Sequence, residues 1–196
     1  MYICVMSGAY HVYRTTNWQA YLQLEKAKAA GQIRSLGLSN YAVEDFTELM
    51  RKATVTPAIN QIEINPFLYR KNTIDFFERS GVRMQSYRAL RDGKAFTDPT
   101  IVELAAKYGK SPAQIMGRWC VQHGFIYIPK SVKKDRMVEN QDVFSFELEP
   151  ADLALLDQKT TPEAIAKFKE LYVKCVVRDT PIASQTELAK QQITED

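Results

Sequence analysis

The segment from Lys130 to Arg136 groups cationic side chains at a position suited to binding an anion. It also contains Lys133, Lys134 and the hydroxyl of Ser131, and it lies where a predicted strand ends and a predicted helix begins. Free backbone N–H groups and the helix dipole favour an anion at such a position, and the cations add to that preference. The pattern therefore predicts a phosphate site, with a solvated basic helix end as the structural alternative.

Polar residues also stand at the carboxyl ends of the other predicted strands. Ser39 and Asn40 end the second strand, Gln61 and Glu63 lie near the end of the third, and Tyr87 ends the fourth. Both α/β barrels and doubly wound sheets bind ligands at this edge. Each group also has a structural interpretation. The serine–asparagine pair could cap a helix, the glutamine and glutamate could bond to backbone or water, and the tyrosine could be a core aromatic.

Five short stretches are predicted to be strands and must position these groups. They are Tyr2–Met6, Ile33–Ser39, Ala58–Ile64, Arg83–Tyr87 and Ile126–Ser131. Helical spacing and helix-start signals predict helices at Trp18–Gly31, Val43–Met50, Pro99–Tyr108 and Ser111–Gly124, then from about Lys133, from about Glu149 and over Pro162–Lys174. The strand starts are 25 to 43 residues apart, which leaves room for helical crossovers. The order therefore predicts an α/β fold with parallel strands.

The composition excludes several other classes of protein. The 196 residues have a net charge of +3, too small to indicate nucleic acid or a charged membrane as a partner. Cys4, Cys120 and Cys175 are far apart, and His11 and His123 have no metal-ligand spacing. No apolar run is long enough to span a membrane, and no signal peptide is recognisable. We expect a cytoplasmic protein with reduced cysteines and no bound metal.

Four motifs resemble those of the aldo-keto reductases, in the order and spacing of that family. They are Ile33–Tyr41, Asn60–Pro66, Tyr108–Gln114 and Ile128–Val132, the last followed by Arg136, Glu139 and Asn140. The resemblance covers roughly residues 17–183. It implies a partial aldo-keto reductase domain over residues 1–183, with a polar tail at 184–196. The implied fold is an incomplete TIM (β/α)8 barrel, about the last five βα units plus a C-terminal helix.

The same resemblance implies that NADP(H) is the cofactor and is bound in an extended form. It assigns eleven residues to that cofactor: Ser39, Asn40 and Gln61 at the nicotinamide carboxamide, Tyr87 stacked on the ring, Lys130, Ser131 and Arg136 at the 2′-phosphate, Glu139 and Asn140 near the adenine, and Leu90 and Val132 beside them. Because a 2′-phosphate site distinguishes the two dinucleotides, NADP is expected rather than NAD.

Two departures from the family pattern affect the expected chemistry. Arg88 and Ala89 stand where the family commonly has Ser-Pro, and Arg88 is expected to reach the pyrophosphate. Family catalysis uses an Asp, Tyr, Lys and His set, of which the first three lie on strands that precede those recognised here. The fourth strand should end in a histidine, but the segment 5–8 has none and His11 comes too late. No catalytic residue is therefore predicted, and the sequence identifies no lysine–aspartate partner for any candidate tyrosine.

Five parallel strands cannot close an eight-stranded barrel. The sequence leaves three alternatives: a truncated product of a longer gene, which the abrupt start favours, a chain completed by a partner chain, or an open α/β sheet. The leading functional hypothesis is the cofactor-binding portion of an NADPH-dependent reductase of aldehydes and ketones, inactive alone. The alternative is a non-catalytic NADP-binding or partner-binding module. A small carbonyl compound is the expected substrate of the parent reaction.

Overall fold

A computed structural model of the protein describes the backbone of residues 2–6 and 11–178 and the side chains of residues 18–170. Within that part of the chain, the strands are β1 (Tyr2–Met6), β2 (Ser35–Ser39), β3 (Ile59–Glu63), β4 (Arg83–Tyr87) and β5 (Ile126–Tyr127). The α-helices are α1 (His11–Ala29), α2 (Val43–Met50), α3 (Lys71–Arg79), α4 (Pro99–Tyr108), α5 (Pro112–Gln122), α6 (Lys134–Gln141), α7 (Pro150–Asp157) and α8 (Pro162–Arg178). A 3₁₀ turn follows β4 over Arg91–Gly93.

The predicted order of strands and helices is confirmed, although α1 begins at His11 and not at Trp18. Two further differences concern the fifth strand and α3. The fifth strand is two residues long rather than six, since Ile126–Tyr127 is followed by irregular backbone. Pro129 lacks the N–H that a strand needs for its hydrogen bonds, which explains the early end. The sequence analysis also did not name α3 (Lys71–Arg79), although buried Ile74 and Phe77 anchor it to the core.

The described residues fall into two compact units. Of the described residues, the first unit contains those within 2–62, 70–83 and 162–178, and the second contains Glu63–Tyr69 and Met84–Thr161. The predicted tail at 184–196 and the end of the segment 5–8 lie outside the described residues. The side chain of His11 lies outside them as well.

In the first unit, β1, β2 and β3 pair in parallel, with Met6 opposite Ser39 and Ser39 opposite Gln61. Parallel neighbours require the crossovers that α1 and α2 supply. A fully buried amide fixes the end of β2 to β3. Nδ2 of Asn60 donates to the carbonyl of Tyr41 (3.0 Å), and the Tyr41 N–H donates back to Oδ1 of Asn60 (3.4 Å).

In the second unit, β4 and β5 pair in parallel, with Ser86 opposite Tyr127. The helices α4 and α5 begin as the sequence predicted. Asp98 accepts hydrogen bonds from the backbone of the first turn of α4, and Ser111 and Gln114 form a reciprocal capping box on α5. These caps satisfy N–H groups that would otherwise lack partners at the helix ends.

The core of the second unit is built around α5. Trp119 and Cys120 are fully buried, and the indole N–H of Trp119 donates to the carboxylate of Asp157 in α7 at 2.7 Å. Gly117 on the same helix leaves room for two neighbours. A Cβ at that position would lie 2.9 Å from Cγ1 of Val143 and 3.0 Å from the Tyr127 ring. The absence of a side chain therefore lets Tyr127 of β5 pack directly against α5.

We predict that Gly117→Ala destabilises the protein although alanine is the better helix former. Helix propensity favours alanine by about 1 kcal/mol, whereas forcing an extra methyl into a packed core costs about 1–3 kcal/mol. The free energy of unfolding, measured by urea denaturation followed by circular dichroism, should fall. Ala106→Gly on an exposed position of α4 is the control, since it reports propensity without a steric overlap. A rise of about 1 kcal/mol for Gly117→Ala would contradict the packing interpretation.

Candidate functional site

The second unit contains a cavity of about 550 Å³ between the end of β5, the start of α5 and helix α6. Seven of the eleven residues predicted to bind the cofactor line it: Leu90, Lys130, Ser131, Val132, Arg136, Glu139 and Asn140. These residues come from positions up to fifty residues apart in the chain. The fold therefore brings Leu90, in the loop after β4, next to the segment 130–140.

The loop between β5 and α6 supplies the basic side of this cavity. Ser131 Oγ accepts a hydrogen bond from the backbone N–H of Lys133 (3.1 Å), which fixes the turn ahead of α6. Lys130, Lys133 and Arg136 all line the cavity and are solvent-exposed. Exposed cations beside the N-terminal turn of a helix create a positive potential, which favours a phosphate or another anion.

The start of α5 forms a second wall of the cavity through Ser111, Pro112 and Ala113. The side-chain N–H₂ of Gln114 donates to the carbonyl and the carboxylate of Asp142 at the end of α6, at 3.0 and 2.9 Å. The ammonium of Lys110 also donates to the Asp142 carboxylate (2.8 Å), and this hydrogen bond is the main reason why the pKa of Asp142 is lowered. These bonds fix α6 relative to α5.

The third wall comes from the loop after β4, which departs from ordinary backbone geometry. Arg88, Arg91 and Asp92 have φ values of 49°, 48° and 57°, in the left-handed region that non-glycine residues rarely adopt. The guanidinium of Arg88 bridges two carboxylates, those of Glu63 and Asp92, each at 3.1 Å. The pyrophosphate contact expected of Arg88 remains a prediction, and the structure shows these ion pairs instead. The sequence analysis did not identify Asp92, which also lines the cavity.

The residues predicted to bind the nicotinamide carboxamide lie in the first unit. The backbone N–H of Asn40 donates to the carbonyl of Gln61 (2.8 Å), and the Asn40 side chain donates to Ser39 Oγ (3.3 Å). The three are thus neighbours at the carboxyl ends of β2 and β3. The alternative that Ser39 and Asn40 cap α2 is wrong, because the residue before that helix is Ala42, whose N–H donates to Asp45. Tyr87 ends β4 in the second unit and is half-buried.

Comparison with known proteins identifies the family. The model of the aldo/keto reductase family matches residues 12–161. A glyoxal reductase of Bacillus subtilis is 36% identical over 148 residues, which are 76% of this chain and 52% of that protein. The chain belongs to the aldo/keto reductase family.

Solved structures agree with this assignment. An aldo/keto reductase of Brucella melitensis superposes with a TM-score of 0.75 at 30% identity, over 81% of this chain and 60% of that one. A Bombyx mori aldo-keto reductase in complex with NADP gives a TM-score of 0.68 at 30% identity, over 74% of this chain and 50% of that one. The chain spans about half the length of the curated relatives it matches. Its fold is a partial (β/α)8 barrel, as the resemblance implied.

An aldo/keto reductase is expected to donate a proton from a tyrosine tuned by a lysine and an aspartate, and one such grouping occurs among the described residues. The Tyr108 hydroxyl donates a short hydrogen bond to Asp152, and the ammonium of Lys107 also donates to Asp152 (2.8 Å). The sequence motifs identified no such partners, and the structure shows them at Tyr108. Lys107 adjoins it in the sequence, but Asp152 lies 44 residues away and no sequence pattern indicates the pairing.

The surroundings of Tyr108 nevertheless suit a structural link and not a proton donor. Its hydroxyl also accepts a hydrogen bond from the backbone N–H of Glu149 (2.8 Å), so the group ties α4 to the start of α7. Loss of solvent around the ring and the bond to Asp152 raise the pKa of Tyr108. A raised pKa makes the hydroxyl a weaker acid. In addition, neither Tyr108 nor its neighbours Lys107 and Asp152 line the cavity.

Two further reactive side chains serve packing. Cys120 is fully buried beside Ser86, and burial raises its thiol pKa to about 12, which leaves no thiolate at neutral pH. His123 is the residue at which α5 ends, and its Nε2 lies 2.7 Å from Asp157. Among residues 18–170, no group of three or more potential metal ligands is found. Nor does any described helix combine the length and hydropathy needed to cross a bilayer.

We predict that the Asp152 link makes stability pH-dependent. Hydrogen bonds from Lys107 and then Tyr108 lower the pKa of Asp152, so the folded state holds its proton less tightly than the unfolded state, whose pKa is about 3.9. The resulting stabilisation is present above the unfolded pKa and is lost as the pH falls through the folded one. The free energy of unfolding should therefore fall more steeply below pH 5 in the wild type than in Asp152→Asn.

Urea titrations at several pH values between 7 and 3 measure this difference. Glu103→Gln, at an exposed position of α4, is the matched control and should leave the pH dependence as it is. Parallel curves for the wild type and Asp152→Asn would show that the link contributes nothing to the acid sensitivity.

Proposed function

We propose that this chain binds NADP(H) and is the cofactor-binding part of an aldo/keto reductase that reduces aldehydes or ketones to alcohols. The observation that supports it most is that seven predicted cofactor residues line one cavity in the second unit. A relative in the same family is described in complex with NADP. When bound, the nicotinamide supplies the hydride, and the protein supplies binding and orientation.

The chemistry of the cavity fits the adenosine 2′-phosphate end of the cofactor. Lys130, Arg136 and the hydroxyl of Ser131 would hold a phosphate, since charged donors form the strongest hydrogen bonds to phosphate oxygens. Glu139 and the buried Asn140 would face the adenine, whose ring edge offers both donors and acceptors. Leu90 and Val132 would provide apolar surface beside them.

The nicotinamide end would be held by residues at the strand ends. Ser39, Asn40 and Gln61 offer a hydroxyl and two amides, the groups that can both donate to and accept from a carboxamide. Tyr87 would stack on the ring and leave its other face open for hydride transfer.

We predict that Lys130→Met together with Arg136→Met weakens NADPH binding much more than NADH binding. The two cofactors differ in the 2′-phosphate, and each charge-assisted hydrogen bond is worth about 1.5–3 kcal/mol. The dissociation constant for NADPH should rise about 30-fold or more, and that for NADH less than about threefold. Isothermal titration calorimetry measures both. Lys134→Met is the control, because Lys134 neighbours the cavity in sequence but does not line it. Equal losses for the two dinucleotides would refute the phosphate assignment.

We also predict that the chain alone does not turn over. A positioned general acid contributes about 10²–10⁴-fold to such a reaction, and Tyr108 is a poor candidate for the reasons above. Oxidation of NADPH with an aromatic aldehyde, followed at 340 nm, should match the background without protein. A rate above background that Tyr87→Phe or Tyr108→Phe abolishes would overturn this prediction.

A second candidate function is a cytoplasmic, non-catalytic module that binds NADP or a partner chain. One observation favours a partner: the apolar side chains of Ile126 and Phe144 are exposed and line one cavity, and exposed apolar patches mark interaction surfaces. A partner chain could complete the barrel there. NADPH binding without carbonyl-dependent oxidation would support the module. Turnover would support the reductase.

A further inference from the structure

A carboxylate lies in the wall of the cavity that we assign to phosphate. Asp92 lines this cavity together with Lys130 and Arg136. Two negative charges close to each other repel. An unpaired carboxylate beside a bound phosphate would therefore oppose the attraction of the basic residues for that phosphate. The neighbours of Asp92 therefore bear on how strongly the cavity attracts an anion.

Arg88 pairs with Asp92 and is itself anchored at the end of β3. One guanidinium nitrogen lies 3.1 Å from the Asp92 carboxylate, and the other lies 3.1 Å from that of Glu63. The Glu63 side chain is only 17% exposed and also accepts a hydrogen bond from the Asn65 amide (3.4 Å). The charge of Glu63 is the main reason why the pKa of Arg88 is raised. Arg88 therefore stays positively charged, and its ion pair with Glu63 fixes the position of its guanidinium.

The backbone places Asp92 where Arg88 can reach it. Both residues have left-handed φ values, which residues other than glycine keep only where the surrounding structure imposes them. Backbone hydrogen bonds from Arg91 to Arg88 (2.9 Å) and from Gly93 to Leu90 (2.9 Å) close the turn around them. Because Leu90 and Gly93 also line the cavity, the turn and the ion pair form one piece of its wall.

We propose that Arg88 is a positioning residue that sets the affinity of the cavity for phosphate groups by holding and neutralising the carboxylate of Asp92. This rests on the proposed NADP(H)-binding function. Arg88 acts through Asp92 and needs no contact with the ligand. The competing explanation is that Arg88 only keeps the turn folded.

A double-mutant series separates these explanations. Arg88→Gln leaves Asp92 charged and unpaired, and since both side chains are exposed (47% and 66%) the dissociation constant for NADPH should rise about two- to fivefold. Asp92→Asn alone should strengthen binding about two- to threefold, because it removes the negative charge. Arg88→Gln combined with Asp92→Asn should bind at least as tightly as the wild type. Arg88→Lys should recover part of the loss. Arg91→Gln is the control from the same turn, since Arg91 lies over the Phe67 ring and does not line the cavity.

Isothermal titration calorimetry with NADPH, and with adenosine 2′,5′-bisphosphate as a probe without nicotinamide, measures these effects. Titrations at about 0.05 and 0.5 M salt add a second readout, since screening should shrink the Arg88→Gln loss. Binding by Arg88→Gln equal to that of the wild type would overturn the proposal. So would a double variant as weak as Arg88→Gln alone, since a purely structural role predicts no rescue. A wild-type chain that binds neither compound would contradict the proposed function itself, and the assignment to Arg88 with it.

Discussion

The positive potential at the start of α6 is the feature on which the candidate site depends. Lys130, Lys133 and Arg136 line one cavity next to the N-terminal turn of a helix. The three positive charges repel one another. Their arrangement is therefore favourable chiefly when an anion binds between them or when carboxylates lie nearby. Asp92 and Glu139 are such carboxylates. The balance between these basic side chains and the two carboxylates determines how strongly the cavity attracts an anion.

The interior of the second unit keeps that charge distribution in place. Helix α5 contributes a cavity wall through its first turn and packs against Tyr127 through Gly117. Gln114 fixes the end of α6 through Asp142, while Trp119 holds α7 through Asp157. These contacts are buried or partly buried, where hydrogen bonds are less exposed to competition from water. The exposed side chains that line the cavity thus rest on a core in which Gln114 and Trp119 have polar partners, whereas the buried Tyr127 hydroxyl has none.

Tyr108 shows why residue types alone do not define a catalytic site. A tyrosine, a lysine and an aspartate meet within hydrogen-bonding distance, the combination expected for proton donation to a carbonyl. Yet the hydroxyl is already bonded on both sides, and its pKa is raised rather than lowered. The same three side chains therefore stabilise the contact between α4 and α7.

The sequence by itself predicted the order of the strands and of the helices other than α3, and it grouped the basic residues that are proposed to bind an anion. Apolar periodicity and helix-start signals are local properties, so the bounds of β1 and β4 were predicted to the residue, and α4 begins at the predicted Pro99. Motif spacing located Lys130, Ser131 and Arg136 in the same way. Only the tertiary structure decided which distant groups meet: Asp92 in the wall of the cavity, Arg88 between two carboxylates, and Asp152 beside Tyr108. Those pairs depend on backbone conformation and on contacts across tens of residues, and no local pattern encodes either one.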